Sequence, residues 1–274
     1  MMKNMNGKRL ASVVVDAGGT STSWAFNYKD STRTVIETES FHPFNFNETF
    51  FSRNRIFLKN QVTEKVPLYF FGAGMGKMEN KQILSNFLQP YFSELTILTD
   101  IQGLVLSLGM DNGAIAIMGT GSVLVEILNG TIRQQIGGLG HLLGDEGSAY
   151  YFGRLVLTAY FDGQLSDNQI SELRKRIDLS QKSKEELLNM KYEVARLAAD
   201  LDPELFYEYH VWNIDSFFKT HFDDKIEVDK VAFVGSYAFF QRHLISKELQ
   251  SRGIRMVKFI RKPIELFCDK FAIY

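Results

Sequence analysis

The chain has 274 residues, with 31 Lys plus Arg against 32 Asp plus Glu, a formal net charge of -1 and 45% apolar residues. This is the composition of a globular chain long enough for two domains, and with no basic block it disfavours electrostatic capture of nucleic acid or of an anionic membrane. A single cysteine, Cys268, cannot build a disulfide framework or a thiolate-held zinc or iron–sulfur site within one chain.

The amino-terminal stretch is basic at Lys3, Lys8 and Arg9, but Asp16 interrupts the following apolar run too early for a signal-peptide core. No run of about 18 apolar residues is present for a membrane span, and the single cysteine fits a reducing compartment, so a cytoplasmic location is expected. Residues 10–16 read as a buried strand, 22–28 as its neighbour across a glycine-rich turn, and 33–39 as a third strand. An apolar strand follows at 66–71, ending in "GAGMG", and then Ile83, Leu84, Phe87 and Leu88 recur at helical spacing. A short strand, 95–99, runs into Asp100 and a helix over 101–108. The order predicts a mixed sheet covered by helices.

After Asp111, Asn112 and Gly113 the pattern begins again, with strands at 114–118, 123–128 and 131–136. The Asn129-Gly130 pair between the last two is a strong hairpin signal. Helical patterns then occupy 147–161, 165–177, 184–200 and 203–221, followed by a final strand at 230–234, a "GS" turn and a helix over 236–252. The expected domains are therefore 1–111 and 112–274, with a last helix near 263–274 packing back on the first domain.

Three strand ends carry glycine turns: "DAGGTST" at 16–22, "GTGS" at 119–122 and "VGSYA" at 234–238. Glycine lets backbone N–H groups converge and lets an anion approach, which is how turns hold phosphates. One such turn alone is an ordinary tight hairpin. Two hydroxyl-bearing ones, each heading a repeated meander, with acids nearby, point to phosphate chemistry. Neither is a Walker A loop, and no GxGxxG joins a strand to a helix.

With "FFGAG" at 70–74, "LTDIQG" at 98–103, "AIAIMGTGS" at 114–122, "GGLGHLLGDEGSAYYFGR" at 137–154 and "VAFVGSYAFF" at 231–240, the chain resembles the actin-like sugar-kinase superfamily. Within it, the chain is similar to the N-acetylglucosamine kinase and BadF/BadG-type ATPase family. The resemblance implies an α/β, two-domain actin-like (ribonuclease H-like) fold closing on a cleft, and ATP- and magnesium-dependent phosphorylation of a small-molecule amino sugar. It implies Asp16 at the metal and Asp100 as general base. Phosphates would meet Gly18, Gly19, Thr20 and Ser21 from one domain and Gly119, Thr120, Gly121 and Ser122 from the other, with adenosine on Gly235 and Ser236. The sugar would meet His42, Asp100, Thr120 and Asp145, while Glu146 supports the cleft. Many proteins of this group are dimers, which leaves a homodimer open by analogy.

The residues by themselves leave plainer readings. Asp100 also suits a helix N-cap, and Asp145 and Glu146 suit the positive end of the following helix. His141, His210, His221 and His243 show no metal-ligand spacing and read as surface or satisfied core. The aromatic clusters at 70–71, 150–152 and 239–240 read as core. In the resembling kinases an Asn commonly precedes the proline of the segment matching "SFHPF" and another follows "GTGS". Here these are His42 and Val123, so an altered acceptor or weak activity on N-acetylglucosamine is expected. Two alternatives share the fold: a non-catalytic sugar or nucleotide sensor, and an iron–sulfur ATPase activator, which needs more than Cys268.

Overall fold

The computed structural model describes residues 8–179, 183–223 and 225–274, so the basic position Lys3 lies outside the described residues. The chain divides into two units, residues 1–109 with 263–274, and residues 110–262.

In the first unit, β1 (Leu10–Ala17), β2 (Ser21–Tyr28) and β3 (Arg33–Glu39) form an antiparallel meander. A short 3-10 turn at Pro43–Asn45 leads to α1 (Glu48–Gln61), β4 (Leu68–Gly72), α2 (Met78–Leu88), β5 (Leu95–Leu98) and α3 (Asp100–Leu108). The sheet order is β3-β2-β1-β4-β5, with β1, β4 and β5 parallel. The continuous apolar run of β1 is what a central strand covered on both faces requires, whereas β3, charged and half-exposed, is a protected edge. The core on one face is aromatic: Trp24 meets Phe41 edge-on at 5.0 Å, and Phe41 meets Phe50 at 4.8 Å.

The second unit repeats this topology. Strands β6 (Gly113–Met118), β7 (Ser122–Leu128) and β8 (Thr131–Gly137) form its meander, and Asn129 and Gly130 take the positive φ values, 52° and 70°, of the expected hairpin turn. Then come α4 (Ala149–Phe161), α5 (Asp167–Arg174), α6 (Lys184–Asn189), α7 (Lys191–Asp200), α8 (Tyr207–His221), β9 (Lys230–Val234), α9 (Ser236–Phe240), α10 (Arg242–Ser251) and β10 (Arg255–Ile260). The order β10-β9-β6-β7-β8 mirrors the first sheet. The closing helix α11 (Pro263–Phe271) returns to the first unit, where Phe267 and Phe271 pack on Phe71 at 4.4 and 4.9 Å.

Three expectations are corrected. The strand at 230–234 is not the last: β10 follows, its signal hidden because Arg255 and Lys258 interrupt an exposed edge strand. The helices expected over 184–200 and 236–252 each break in two, at Met190 and Gln241, whose backbones leave the helical region. Phe240 is 55% exposed rather than core, unlike Phe70, Phe71, Tyr150 and Phe152.

Candidate functional site

In the first unit the acids gather at the carboxyl ends of the parallel strands, where open α/β sheets place their ligands. Asp16 sits one residue before the end of β1, opposite Phe71 of β4, and Phe71 stands opposite Leu98 of β5, two residues before Asp100. Burial, and then the charge of Asp100, push the Asp16 carboxyl up to about 7. Burial also raises Asp100, against the pull of backbone amides that include Ile101, whose N–H donates to its Oδ1 at 3.0 Å.

Asp100 does not cap its helix. Thr99 does, accepting from the Gln102 N–H at 3.1 Å while the Gln102 side chain accepts from the Thr99 N–H at 3.0 Å, a complete capping box. Asp100 is the first helical residue, and its carboxylate is not needed to start α3.

Gly18, Gly19 and Thr20 form the turn between β1 and β2, closed by the Gly18 N–H on the Ser21 carbonyl at 3.0 Å. Gly19, Thr20 and Ser21 are exposed at its tip. Two residues that the sequence reading passed over hold this turn to the next segment. Ser40 Oγ donates to the Gly18 carbonyl at 2.7 Å, and Thr22 Oγ1 accepts from the Phe41 N–H at 2.8 Å. That brings His42 into the same region. Its Nδ1 accepts from the Phe44 N–H at 3.3 Å, so the neutral ring carries its proton on Nε2. His42 and Pro43 press against Gly74, where a Cβ would lie 3.1 Å from His42 Nε2 and 2.8 Å from Pro43 Cδ.

In the second unit the Gly119–Ser122 turn joins β6 to β7, with the Gly119 N–H on the Gly121 carbonyl at 2.9 Å. Asp145 clamps it: Oδ1 accepts from the Ser122 N–H at 3.1 Å, and Ser122 Oγ donates to the Glu146 carbonyl at 2.6 Å. The backbone reinforces the clamp, since the Ala149 N–H donates to the Gly119 carbonyl at 2.8 Å. Asp145 and Glu146 therefore precede α4 rather than start it, and Ser148 is the N-cap, accepting from the Tyr151 N–H at 3.1 Å. Asp145 has a φ of 69°, unusual for a residue with a side chain. Its second oxygen, Oδ2, is buried without a hydrogen bond, with Lys191 Nζ 3.9 Å away.

Gly235 and Ser236 lie beside this turn. Gly235 has a φ of 114°, and a Cβ there would fall 2.4 Å from the Met118 carbonyl oxygen, so only glycine lets the two turns approach. Val123 begins the outward path of β7, opposite Ile117 and Gly137. Of the histidines, His210 is buried with Nδ1 3.0 Å from the Tyr237 hydroxyl. His221, also buried, leaves Nε2 without a hydrogen bond, so it is not a fully satisfied core residue. Among the described residues no group of three or more His, Cys, Asp or Glu could hold a metal ion, and no helix is long and apolar enough to cross a membrane.

Two five-stranded sheets of the same order, each with a glycine hairpin at the head of its meander, give an α/β actin-like fold in two units. Among solved structures the chain is similar to a candidate N-acetylglucosamine kinase from Porphyromonas gingivalis, at 22% identity over 94% of this chain and 97% of that one, with a TM-score of 0.78. A candidate N-acetylglucosamine kinase from Chromobacterium violaceum matches at 19% identity over 94% and 98%, with a TM-score of 0.65. A ROK family glucokinase from Streptomyces griseus, solved with glucose and AMPPNP, matches at 12% identity over 93% and 97%, with a TM-score of 0.56. No family model matches the chain.

Proposed function

We propose that this protein is a sugar kinase that transfers the γ-phosphoryl group of ATP to a hydroxyl of an amino sugar, N-acetylglucosamine or a related N-acetylhexosamine. The observation that carries the reading is the pair Asp16 and Asp100 at the carboxyl ends of the parallel strands, beside the exposed hydroxyl-rich turn at 18–21. The sugar-kinase names of the similar structures support it.

In this reading Asp100 is the general base. As the acceptor oxygen bonds to the γ-phosphorus and the bond to the bridging oxygen of ADP breaks, the hydroxyl proton passes to the Asp100 carboxylate. Burial makes that carboxylate more basic than an ordinary aspartate, which suits the task. Gly19, Thr20 and Ser21, with Thr120 and Gly121, are proposed to present donors to the phosphates, and Gly235 and Ser236 to receive the adenosine; Gly18, Gly119 and Ser122 shape the turns instead, since the Gly18 and Gly119 N–H groups close them and both Ser122 donors are taken by Asp145 and Glu146.

Magnesium fits the donor set. It binds oxygen, keeps several waters and is held by one or two carboxylates together with substrate phosphates, so Asp16 without a dedicated cage is sufficient. Bound with ATP, the ion would neutralise charge on the β- and γ-phosphates, and its charge would draw Asp16 into the ionised form. His42, Thr120 and Asp145 are proposed to meet the sugar. The iron–sulfur alternative finds no support in Cys268, which is buried in α11 with its thiol pushed up to about 11 by burial, the opposite of a ready thiolate ligand. A cytoplasmic location belongs to the same reading, and so does a homodimer.

The test is ADP release by the purified protein with ATP, Mg²⁺ and a panel of hexoses and N-acetylhexosamines, run beside His42→Asn combined with Val123→Asn. The Val123 side chain cannot hydrogen-bond, and a buried sugar hydroxyl left unpaired there costs about 1–3 kcal/mol, roughly ten- to a hundredfold in affinity. The expected result is sugar-dependent ADP release, with N-acetylglucosamine a weak substrate of the parent that the double variant improves. High efficiency on N-acetylglucosamine that the double variant lowers or leaves unchanged would reject the altered specificity. No sugar-dependent release with any acceptor would reject the kinase.

A further inference from the structure

Helix α8 carries His210, Asn213, Ile214, Phe217 and His221 on its buried side, at helical spacing. Asn213 is the polar member with no apolar explanation. It is fully buried and makes three hydrogen bonds: Oδ1 accepts from the Gly147 N–H at 2.7 Å, and Nδ2 donates to the Ser148 carbonyl at 2.8 Å and to the Tyr237 hydroxyl at 2.8 Å. The partners fix the amide orientation, because a backbone N–H can only donate and a carbonyl can only accept. The Tyr237 hydroxyl, having accepted from Asn213, also lies 3.0 Å from His210 Nδ1. His210 is stacked on Phe152 at 4.0 Å, and burial holds its pKa down to about 4.

Gly147 and Ser148 follow directly on Asp145 and Glu146, which clamp the Gly119–Ser122 turn, and Tyr237 follows directly on Gly235 and Ser236. One side chain, more than sixty residues from the acidic segment and more than twenty from Tyr237, thus holds both. We infer that Asn213 is a positioning residue for nucleotide binding, fixing the proposed adenosine turn at 235–237 relative to the proposed phosphate turn at 119–122 through Tyr237 and the 145–148 segment. This rests on the nucleotide reading of those turns given above. Asn213 touches no substrate: it sets the spacing between two turns that must engage one ligand together. Tight binding of one ligand by two such turns depends on their being held in place beforehand.

The experiment measures AMPPNP affinity with Mg²⁺ by calorimetry on the full chain for the parent, Asn213→Ala, Tyr237→Phe and the double variant, with near-ultraviolet circular dichroism and thermal unfolding alongside. The expected result is a Kd raised tenfold or more by Asn213→Ala and at least threefold by Tyr237→Phe. The double variant should be no weaker than Asn213→Ala alone, because the hydroxyl acts through the amide. If Asn213→Ala does not fold, Tyr237→Phe, which removes one oxygen, still decides the matter by its Kd. A folded variant with lowered thermal stability but the parent's Kd would overturn the inference, as would effects that simply multiply in the double variant. A parent that binds no AMPPNP overturns the nucleotide reading itself, and the inference with it.

Discussion

Replacing Asp100 by Asn is expected to lower sugar phosphorylation by about a thousandfold or more while leaving AMPPNP binding within a few-fold of the parent. The reasoning is local. Asparagine keeps the shape and an Oδ1 that can still accept from the Ile101 N–H, but it cannot receive the proton of an attacking hydroxyl. The usual objection, that an aspartate at a helix start is a cap whose loss unravels the helix, does not hold here. Thr99 and Gln102 cap α3 without it. Because burial raises the Asp100 carboxyl, the neutral amide should also fold at least as stably as the parent. Parent-like turnover in Asp100→Asn would remove it from the chemistry. Lost nucleotide binding would show that it serves the phosphates instead.

The second large effect is expected at Asp16, with opposite signs with and without ligand. In the native state its carboxyl stands at about 7, and in the unfolded chain near 3.8. Between those values the native state holds the proton that the unfolded state has lost, so stability falls as pH rises from about 4 to 7 and the full penalty persists above. A shift of this size corresponds to at most about 4 kcal/mol, and about 2 kcal/mol is reasonable for a carboxyl still partly open to solvent. Asp16→Asn should therefore unfold about 5 °C above the parent at pH 8 without nucleotide, with the gain fading towards pH 4. With ATP and Mg²⁺ the order should reverse, because the ligand stabilises the parent and not the variant. An Asp16→Asn protein less stable than the parent at pH 8 without ligand would mean that the carboxylate is a paired structural group.

The strands and their order were largely legible because the evidence for them is local. The buried run at 10–17, the Asn129-Gly130 turn and the glycine turns at 18–19 and 119–121 announce themselves within a few residues, and the repeated meander marks the three antiparallel strands of each sheet. What escaped depends on distant partners. Nothing near Thr22 or Ser40 reveals that they pin the 40–42 segment to the first hairpin, and nothing near Asn213 reveals Gly147 or Tyr237. The acids of "GDEGS" look like helix-start residues until the left-handed backbone at Asp145 turns its carboxylate onto Ser122. Strand β10 was hidden for a different reason: an exposed edge lacks the apolar alternation that marks a strand.

The most direct test is ³¹P nuclear magnetic resonance of the purified protein with ATP, Mg²⁺ and the best acceptor from the sugar panel. A sugar phosphomonoester signal growing in step with ADP, without matching inorganic phosphate, and absent in Asp100→Asn, is the predicted result. ADP accompanied only by inorganic phosphate, or a phosphomonoester formed as fast by Asp100→Asn as by the parent, would contradict it.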